Sequence, residues 1–288
     1  MKPIRLIALD LDGTLFNPDS RISQGNLAAI KRMKEQGVHV VIASGRPFTG
    51  LPFEQLQGTG IEYAITTNGS SIYDLESEKC IHDKCIFEDP LDEETALTLL
   101  DYLLTKDIHM DVFIGGVGYS PLQCISAGEK LSVPPSIKKY ITKSRIRIAD
   151  MPGFIRSNHL RVQKITLNFY PDEKGILKHR EEVLAYLEAN PKITCVSGGF
   201  NNLEFTKRGV TKGTALLRLA KLLEIDPEAT MAIGDSENDL SMIEAAGIGV
   251  AMGNAQEVVK DHADFMTGTN AEDGVAAAIQ HFAVSPQS

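Results

Sequence analysis

The chain has 288 residues, of which 43% are hydrophobic and 23% charged, a composition typical of a globular protein long enough for two domains. Its 29 basic and 38 acidic residues give a net charge of −9, which argues against nucleic acid as a partner because phosphate neutralisation needs a basic face. No run approaches the length of a membrane span, and the apolar N-terminal run contains Asp10 and lacks a cleavage site, so we expect neither a membrane contact nor a secretion signal, and a cytoplasmic protein.

The first part of the chain alternates buried strands with helices. Residues 4 to 9 and 38 to 43 are continuously apolar and predict two buried strands. Between them, Ser23 can cap a helix that runs to about Gln36. The run YAITTNG, residues 63 to 69, predicts a third strand. Strands that are apolar throughout and alternate with helices predict a parallel sheet covered on both faces.

A different pattern begins near residue 85. The run RVQKITLNF, residues 161 to 169, alternates polar and apolar residues, which is typical of a sheet with one solvated face. Helices are predicted at 91 to 106 and at 172 to 189. We therefore predict an inserted α/β domain. The predicted boundaries are 1–84 and 199–288 for the core domain and 85–198 for the insert.

After the insert the first pattern returns. LEFT, residues 203 to 206, is predicted as a short core strand, followed by a helix over residues 211 to 223. ATMAIGD and IGVAMGN predict two more buried strands, and GVAAAIQHF predicts a final helix. The predicted fold class is thus α/β, with one parallel sheet whose two halves are separated in sequence. In such sheets, ligands bind outside the carboxyl ends of the strands.

Polar residues follow several of these core strands. Any one of them could be a helix cap or a turn residue, but their recurrence at one sheet edge predicts a functional site. The group consists of Asp10, Asp12, Ser44, Gly45, Arg46, Asn68, Gly69, Lys212, Asp235, Asn238 and Asp239.

The residue types in this group predict phosphoryl transfer. Several carboxylates in one cleft need a cation between them, and hard oxygen ligands without His or Cys suggest Mg²⁺. Ser44, Lys212, Asn238 and the backbone N–H groups near Gly45 can bind phosphate oxygens. An aspartate can also act as the nucleophile and form an aspartyl-phosphate.

Four short runs in this group resemble the motifs of the haloacid dehalogenase-like hydrolases, in the same order. They are DLDGTL at 10 to 15, SGRP at 44 to 47, KG at 212 to 213 and GDSENDLSM at 234 to 242. The runs LEFTKRGVTKGTAL and GVAMGNA resemble the Cof-type branch, which includes sugar-phosphate phosphatases. The resemblance covers nearly the whole core and implies a Rossmann-like parallel sheet.

The resemblance implies roles for four carboxylates. Asp10 would be the nucleophile and a Mg²⁺ ligand. Asp12 would be the general acid and then the general base, with its backbone carbonyl on the metal. Asp235 would bind Mg²⁺, and Asp239 would support the metal's water shell.

The resemblance also implies a set of phosphate-binding groups. One departure from the family pattern is Thr211, which stands where Asn is expected before the lysine. The groups that would bind phosphate or lie close to it are the backbone N–H of Leu11, Ser44, Gly45, Arg46, Asn68, Lys212 and Asn238.

The insert corresponds to the large α/β cap, called C2, of this family. The resemblance implies that the cap closes over the site and that its sheet contacts the substrate. Lys164, in the alternating strand, is a candidate for substrate binding, although a lysine on a solvated sheet face is the commoner interpretation.

Three functions remain open at this stage. The first is a Mg²⁺-dependent phosphatase that acts on small phosphorylated metabolites, with sugar phosphates as the expected class. The second is a phosphomutase, which shares the aspartyl-phosphate chemistry but passes the phosphoryl group to another hydroxyl. The third is a metabolite-binding regulator without catalysis, which the intact motifs disfavour.

Overall fold

The computed structural model describes residues 2–78, 80–124, 131, 133, 135–198 and 201–283. The chain divides into two compact units. The first comprises Met1–Gly45, Leu51–Phe87 and Thr211–Ser288, and the second comprises Arg46–Gly50 and Glu88–Val210. No helix in the described part is long and apolar enough to cross a lipid bilayer.

Strands and helices alternate along most of the chain. The strands are β1 (Leu6–Leu9), β2 (His39–Ala43), β3 (Tyr63–Thr66), β4 (Ser71–Asp74), β5 (Cys85–Glu88), β6 (Ile108–Ile114), β7 (Val117–Pro121), β8 (Ile146–Ile148), β9 (Lys164–Phe169), β10 (Ile193–Ser197), β11 (Leu203–Lys207), β12 (Thr230–Gly234), β13 (Ile248–Ala251) and β14 (Phe265–Met266). The α-helices are α1 (Gln24–Glu35), α2 (Phe53–Leu56), α3 (Ile81–Lys84), α4 (Glu93–Leu103), α5 (Pro135–Ser144), α6 (Met151–Ser157), α7 (Arg180–Glu188), α8 (Lys212–Leu222), α9 (Leu240–Ala245), α10 (Glu257–His262) and α11 (Gly274–Phe282).

An eight-stranded sheet, in the order β14-β13-β12-β1-β2-β3-β4-β5, forms the first unit's centre. Strand β1 runs parallel to both of its neighbours, and Leu6 is in register with Thr230 on one side and His39 on the other. The residues of β1 and β12 are all buried, as expected for strands covered on both faces. The predicted parallel α/β sheet is therefore confirmed, and the carboxyl ends of β12, β1, β2 and β3 lie along one edge.

Two helices of the first unit begin at side-chain caps. Ser23 caps α1 by accepting the backbone N–H of Asn26 at 3.1 Å. Thr211 caps α8 by accepting the N–H of Thr214, also at 3.1 Å. The next residue but one, Gly213, brings α8 so close to α9 that a Cβ at Gly213 would overlap the carbonyl oxygen of Ser241.

The second unit contains a six-stranded sheet in the order β10-β11-β9-β6-β7-β8. Alternate residues of β9, among them Ile165 and Leu167, belong to an apolar core that includes Leu99 of α4, Ile155 of α6 and Leu187 of α7. Helices therefore cover one face of this sheet, as the alternating sequence pattern predicts.

The prediction that the other face of this sheet is solvated is wrong. Lys164, only 1% exposed, projects from that face and lies 2.8 Å from the carboxylate of Glu204. On the same face Asp111 is buried and lies 3.0 Å from Arg145. Because each buried charge has a partner of opposite sign, a strand with the alternating pattern can be buried on both faces.

The prediction that LEFT belongs to the core sheet is also wrong. Strand β11, which contains this run, pairs antiparallel with β10 and with β9 in the second sheet. Leu203 and Phe205 project into the second unit's core, so this strand follows the same alternation as its neighbours. The second unit extends to Val210 rather than ending at 198, and residue 199, the predicted start of the returning core, lies outside the described residues.

The helix predicted at 172 to 189 is shorter than expected. Helix α7 begins only at Arg180. Upstream, the carboxylate of Asp172 accepts the N–H groups of Lys174 and Ile176, at 2.8 and 2.9 Å. This side chain closes a turn, which competes with a helical start.

The contact between α8 and α9 gives a stability prediction. Gly213→Ala should lower the free energy of unfolding by about 2 kcal/mol, because the new methyl group forces two packed helices apart. Gly268→Ala is the control, since a Cβ there would meet ordinary van der Waals contacts, and it should change stability by less than about 1 kcal/mol. Urea unfolding measures both variants, and equal effects would contradict the packing argument.

Candidate active site

Asp10 stands at the carboxyl end of the central strand β1. Its backbone N–H donates to the carbonyl of Ile233 in β12 at 3.0 Å, so the sheet ladder continues to the first residue of the loop. The carboxylate is buried, with 6% of the residue exposed. The parallel topology brings Asp235, which follows β12, to the same edge.

Three carboxylates meet at this edge. Asp10, Asp235 and Asp239 each present an oxygen, and these oxygens lie within 4.8 Å of one another. Burial, reinforced by the charge of Asp239, raises the pKa of Asp10 well above its usual value. Burial and the same neighbouring charge raise the pKa of Asp235 to about 6. The described residues thus gather more negative charge here than the protein alone compensates.

Lys212 is the buried cation of the cluster. It is the first residue of α8, and its ammonium lies 2.7 Å from Asp10 and 2.6 Å from Asp239. Burial by itself would lower the pKa of Lys212, but the two carboxylates outweigh burial and raise that pKa. Thr211, the departure from the family pattern, is the N-cap residue, and its side chain accepts the N–H of Thr214. The substitution therefore leaves Lys212 at its place in the helix.

Backbone and hydroxyl donors hold the other carboxylate oxygens. The Oδ2 atom of Asp239 accepts the N–H groups of Asp235 and Ser236, both at 3.0 Å. Asp235 in turn accepts the hydroxyls of Thr14 at 3.0 Å and of Ser236 at 3.1 Å. The sequence analysis missed Thr14 and Ser236, although both lie inside the motifs that it quotes.

Gly13 lets the loop after β1 approach Asp235. Its φ of +92° is in the region that favours glycine. A Cβ at this position would overlap the Asp235 carboxylate. The Gly-Thr pair of DLDGTL therefore contributes one close backbone contact and one hydroxyl donor to the carboxylate cluster.

A second group of polar residues surrounds Ser44, which is buried at the end of β2. The Ser44 carbonyl accepts the backbone N–H of Asn68 at 3.2 Å. Asn68 has a left-handed backbone, with φ of 56°, and its side-chain oxygen accepts from the Nδ2 of Asn238 at 3.3 Å. Asn68 and Asn238, which are far apart in sequence, thus meet through their amides. Gly45, directly after Ser44, is half-buried.

The side chains of four residues predicted for the site belong neither to the carboxylate cluster nor to the group around Ser44. Asp12 is exposed, and its carboxylate is not one of the three that cluster. Leu11 is buried, and its carbonyl accepts the N–H of Phe16 at 2.8 Å. Arg46 belongs to the second unit, where its guanidinium donates to a loop carbonyl at 3.1 Å and lies 5.0 Å from the ring centroid of Tyr140. Lys164 forms the buried ion pair described above.

The carboxylate cluster fits a hard divalent cation. It offers carboxylate oxygens without a thiolate or an imidazole, which is the ligand set that Mg²⁺ prefers. Burial and, after it, charge repulsion raise the pKa values of Asp10 and Asp235, and a cation at this place would offset the repulsion. The residues present therefore fit Mg²⁺, by ligand chemistry and by charge.

Comparison with known proteins is consistent with this site. The family model of the haloacid dehalogenase-like hydrolases matches residues 7–279. Phosphatase YwpJ of Bacillus subtilis (strain 168) is 35% identical, across 96% of this chain and 99% of its own length. The 5-amino-6-(5-phospho-D-ribitylamino)uracil phosphatase YcsE of the same organism is 32% identical, across 97% and 96%. A solved haloacid dehalogenase-like hydrolase from B. subtilis superposes with a TM-score of 0.81 at 32% identity, covering 96% of this chain and 99% of that one.

The raised pKa of Asp235 predicts a pH dependence of stability for the metal-free protein. Between pH 4 and pH 6 the folded state keeps a proton on Asp235 that the unfolded state releases, because the pKa rises from 3.8 to about 6 on folding. The contribution of Asp235 to stability should therefore fall by about 2 kcal/mol as the pH rises through this window.

Asp235→Asn isolates this contribution. In chelator-treated protein, the unfolding free energy of the variant should fall less steeply than that of the wild type between pH 4 and pH 6. Urea unfolding at several pH values measures both slopes. Parallel curves for the two proteins would show that Asp235 titrates alike in the folded and unfolded states.

Proposed function

Since this chain belongs to the haloacid dehalogenase-like hydrolase family and is a phosphatase, we propose that it hydrolyses small phosphorylated metabolites in a Mg²⁺-dependent reaction through an aspartyl-phosphate on Asp10. The observation that carries this proposal is the contact of Asp10 with the buried ammonium of Lys212, beside Asp235 and Asp239. A buried carboxylate next to a fixed cation suits a nucleophile that attacks an anionic phosphate.

In the first step, an oxygen of Asp10 forms a bond to phosphorus while the bond between phosphorus and the leaving oxygen breaks. Asp12 donates a proton to that oxygen, so the product leaves as an alcohol. In the second step, a water oxygen bonds to phosphorus, Asp12 accepts the water proton, and the bond to Asp10 breaks. Inorganic phosphate leaves, and both carboxyl groups return to their starting states.

The remaining site residues bind and orient the phosphoryl group. Lys212 offsets negative charge on Asp10 and on the phosphate. The amide pair of Asn68 and Asn238 supports the proposal that one face of the site donates hydrogen bonds. The proposed phosphate-binding set is the Leu11 N–H, Ser44, Gly45, Arg46, Asn68, Lys212 and Asn238.

The proposed Mg²⁺ ligands are Asp10, the backbone carbonyl of Asp12, and Asp235, with Asp239 supporting the metal's water shell. When bound, the ion supplies charge neutralisation for the transferring phosphoryl group. Lys212 and the donors to Asp235 and Asp239 hold the carboxylates in place.

Sugar phosphates and related phosphorylated alcohols are the substrate class that we propose. The relative YcsE acts, by its name, on a compound whose phosphate is on a ribityl chain. We also propose that the insert, predicted at residues 85–198, is the cap domain that selects the substrate. Its separate apolar core supports an independently folded domain.

Phosphate release from a panel of sugar, alditol and cofactor phosphates, with and without Mg²⁺, tests the proposal. Wild-type protein should release phosphate only with Mg²⁺, and Asp10→Asn should lower kcat by at least about a thousandfold because it removes the nucleophile. Asp261→Asn, an exposed aspartate on α10, is the matched control and should keep wild-type activity. Full activity in Asp10→Asn would overturn the proposed intermediate.

The same panel distinguishes the phosphomutase alternative. A mutase would isomerise a sugar phosphate in the presence of a bisphosphate activator and would release little inorganic phosphate. Product analysis by phosphorus NMR separates the two outcomes.

A further inference from the structure

Two asparagines far along the chain hold the loop that carries Asp12. Asn254 donates its Nδ2 to the carbonyl of Gly13 at 2.8 Å, and Asn270 donates its Nδ2 to the carbonyl of Phe16 at 2.7 Å. The two asparagines also bind each other, since the backbone N–H of Asn270 donates to the Oδ1 of Asn254 at 2.8 Å. Both ends of the Asn254 amide are thus engaged, and its orientation is fixed by its partners.

The loop's own hydrogen bonds act on different carbonyls. The N–H of Leu15 donates to the Asp10 carbonyl at 3.2 Å, and the N–H of Phe16 donates to the Leu11 carbonyl at 2.8 Å. Asp12 therefore lies between Leu11 and Gly13, and both of these carbonyls are bound. Phe16 of the same loop binds the Leu11 carbonyl, and Asn254 binds the Gly13 carbonyl.

Both asparagines are anchored to the core sheet. Asn254 lies three residues after the end of β13, and between them the N–H groups of Met252 and Gly253 donate to the carbonyls of Gly234 and Gly268, both at 3.0 Å. Asn270 lies four residues after β14, and between them the N–H of Thr267 donates to the carbonyl of Ala251 in β13 at 3.0 Å. The sheet thus gives both amides a fixed support for holding the loop.

We propose that Asn254 and Asn270 are positioning residues that hold Asp12 where its proton reaches the leaving oxygen. The inference rests on the general-acid role given to Asp12 under the proposed function. Asp12 is exposed and its carboxylate is not one of the three that cluster. The backbone that carries it adjoins Gly13 and forms an isolated bridge with Phe16, the two residues whose carbonyls the asparagines bind. Releasing Gly13 or Phe16 lets that backbone move, and small displacements of a proton donor are costly for catalysis.

A misplaced proton donor has a specific kinetic signature. Phenolate is a basic leaving group and needs a proton as it departs, whereas p-nitrophenolate is stabilised by its nitro group and needs the proton much less. The two phosphate esters have nearly the same shape, so binding differs little between them. Moreover, kcat/KM reports the step in which the leaving group departs.

The experiment compares kcat/KM for phenyl phosphate and p-nitrophenyl phosphate with Mg²⁺ present. Asn254→Ala should lower the value for phenyl phosphate at least about tenfold and the value for p-nitrophenyl phosphate less than about threefold. Asn254→Asp keeps the oxygen that accepts from Asn270 but lacks the donor to Gly13, and it should show the same selective loss. Asn270→Ala should also lower kcat/KM more for phenyl phosphate than for p-nitrophenyl phosphate.

Asn158→Ala is the matched control. This amide also donates to a backbone carbonyl at 2.8 Å, that of Phe154, but it lies at the end of α6 in the second unit. The control should change neither value of kcat/KM. An equal loss for both esters in the Asn254 variants, or no loss for either, would overturn the inference.

Asp12→Asn separates a failure of this inference from a failure of the proposed function. It should show the same selective loss in a stronger form. A selective loss in Asp12→Asn with none in the Asn254 variants would overturn the positioning role alone. A loss in Asp12→Asn that is equal for both esters would overturn the general-acid role itself, and the positioning role with it.

Discussion

The contact of one buried ammonium with two carboxylates is the constraint on which the site depends. Lys212 lies between Asp10 and Asp239, and without it two buried carboxylates would face each other with little water to screen their charges. The surrounding structure serves this contact. Thr211 caps the helix at the residue before the lysine, and Gly213 allows that helix to lie against α9, directly behind Asp239.

The parallel topology explains how distant residues reach one place. Strand β1 lies between β2 and β12, so the residues that follow these strands meet at a single edge. Backbone donors then fix the carboxylates: Asp239 accepts two N–H groups of its own turn, and Thr14 from the β1 loop donates to Asp235. The result is a set of carboxylate oxygens whose charge is only partly compensated, which is what the proposed Mg²⁺ dependence requires.

Much of this arrangement could be predicted from sequence, because strand ends and helix starts fix where side chains emerge. Asp10, Lys212, Asp235 and Asp239 follow directly from that rule. Periodicity does not predict which strand pairs with which. LEFT has the pattern of a strand in either sheet. The ion pair of Lys164 with Glu204 can be seen only once their strands are paired. Asn254 and Asn270 carry no periodic signal at all, since their role depends on which carbonyl lies opposite each amide.

The central place of β1 has a consequence for how the chain matures. Its apolar strand is synthesised long before one of its two neighbours, β12, which begins only at Thr230. Until then the nascent chain exposes an unpaired strand edge, and the insert, which has its own apolar core, can already be folded. The core sheet is therefore completed only after the insert has been made, and the period of synthesis between residues 9 and 230 is when the edge of β1 most needs protection from aggregation.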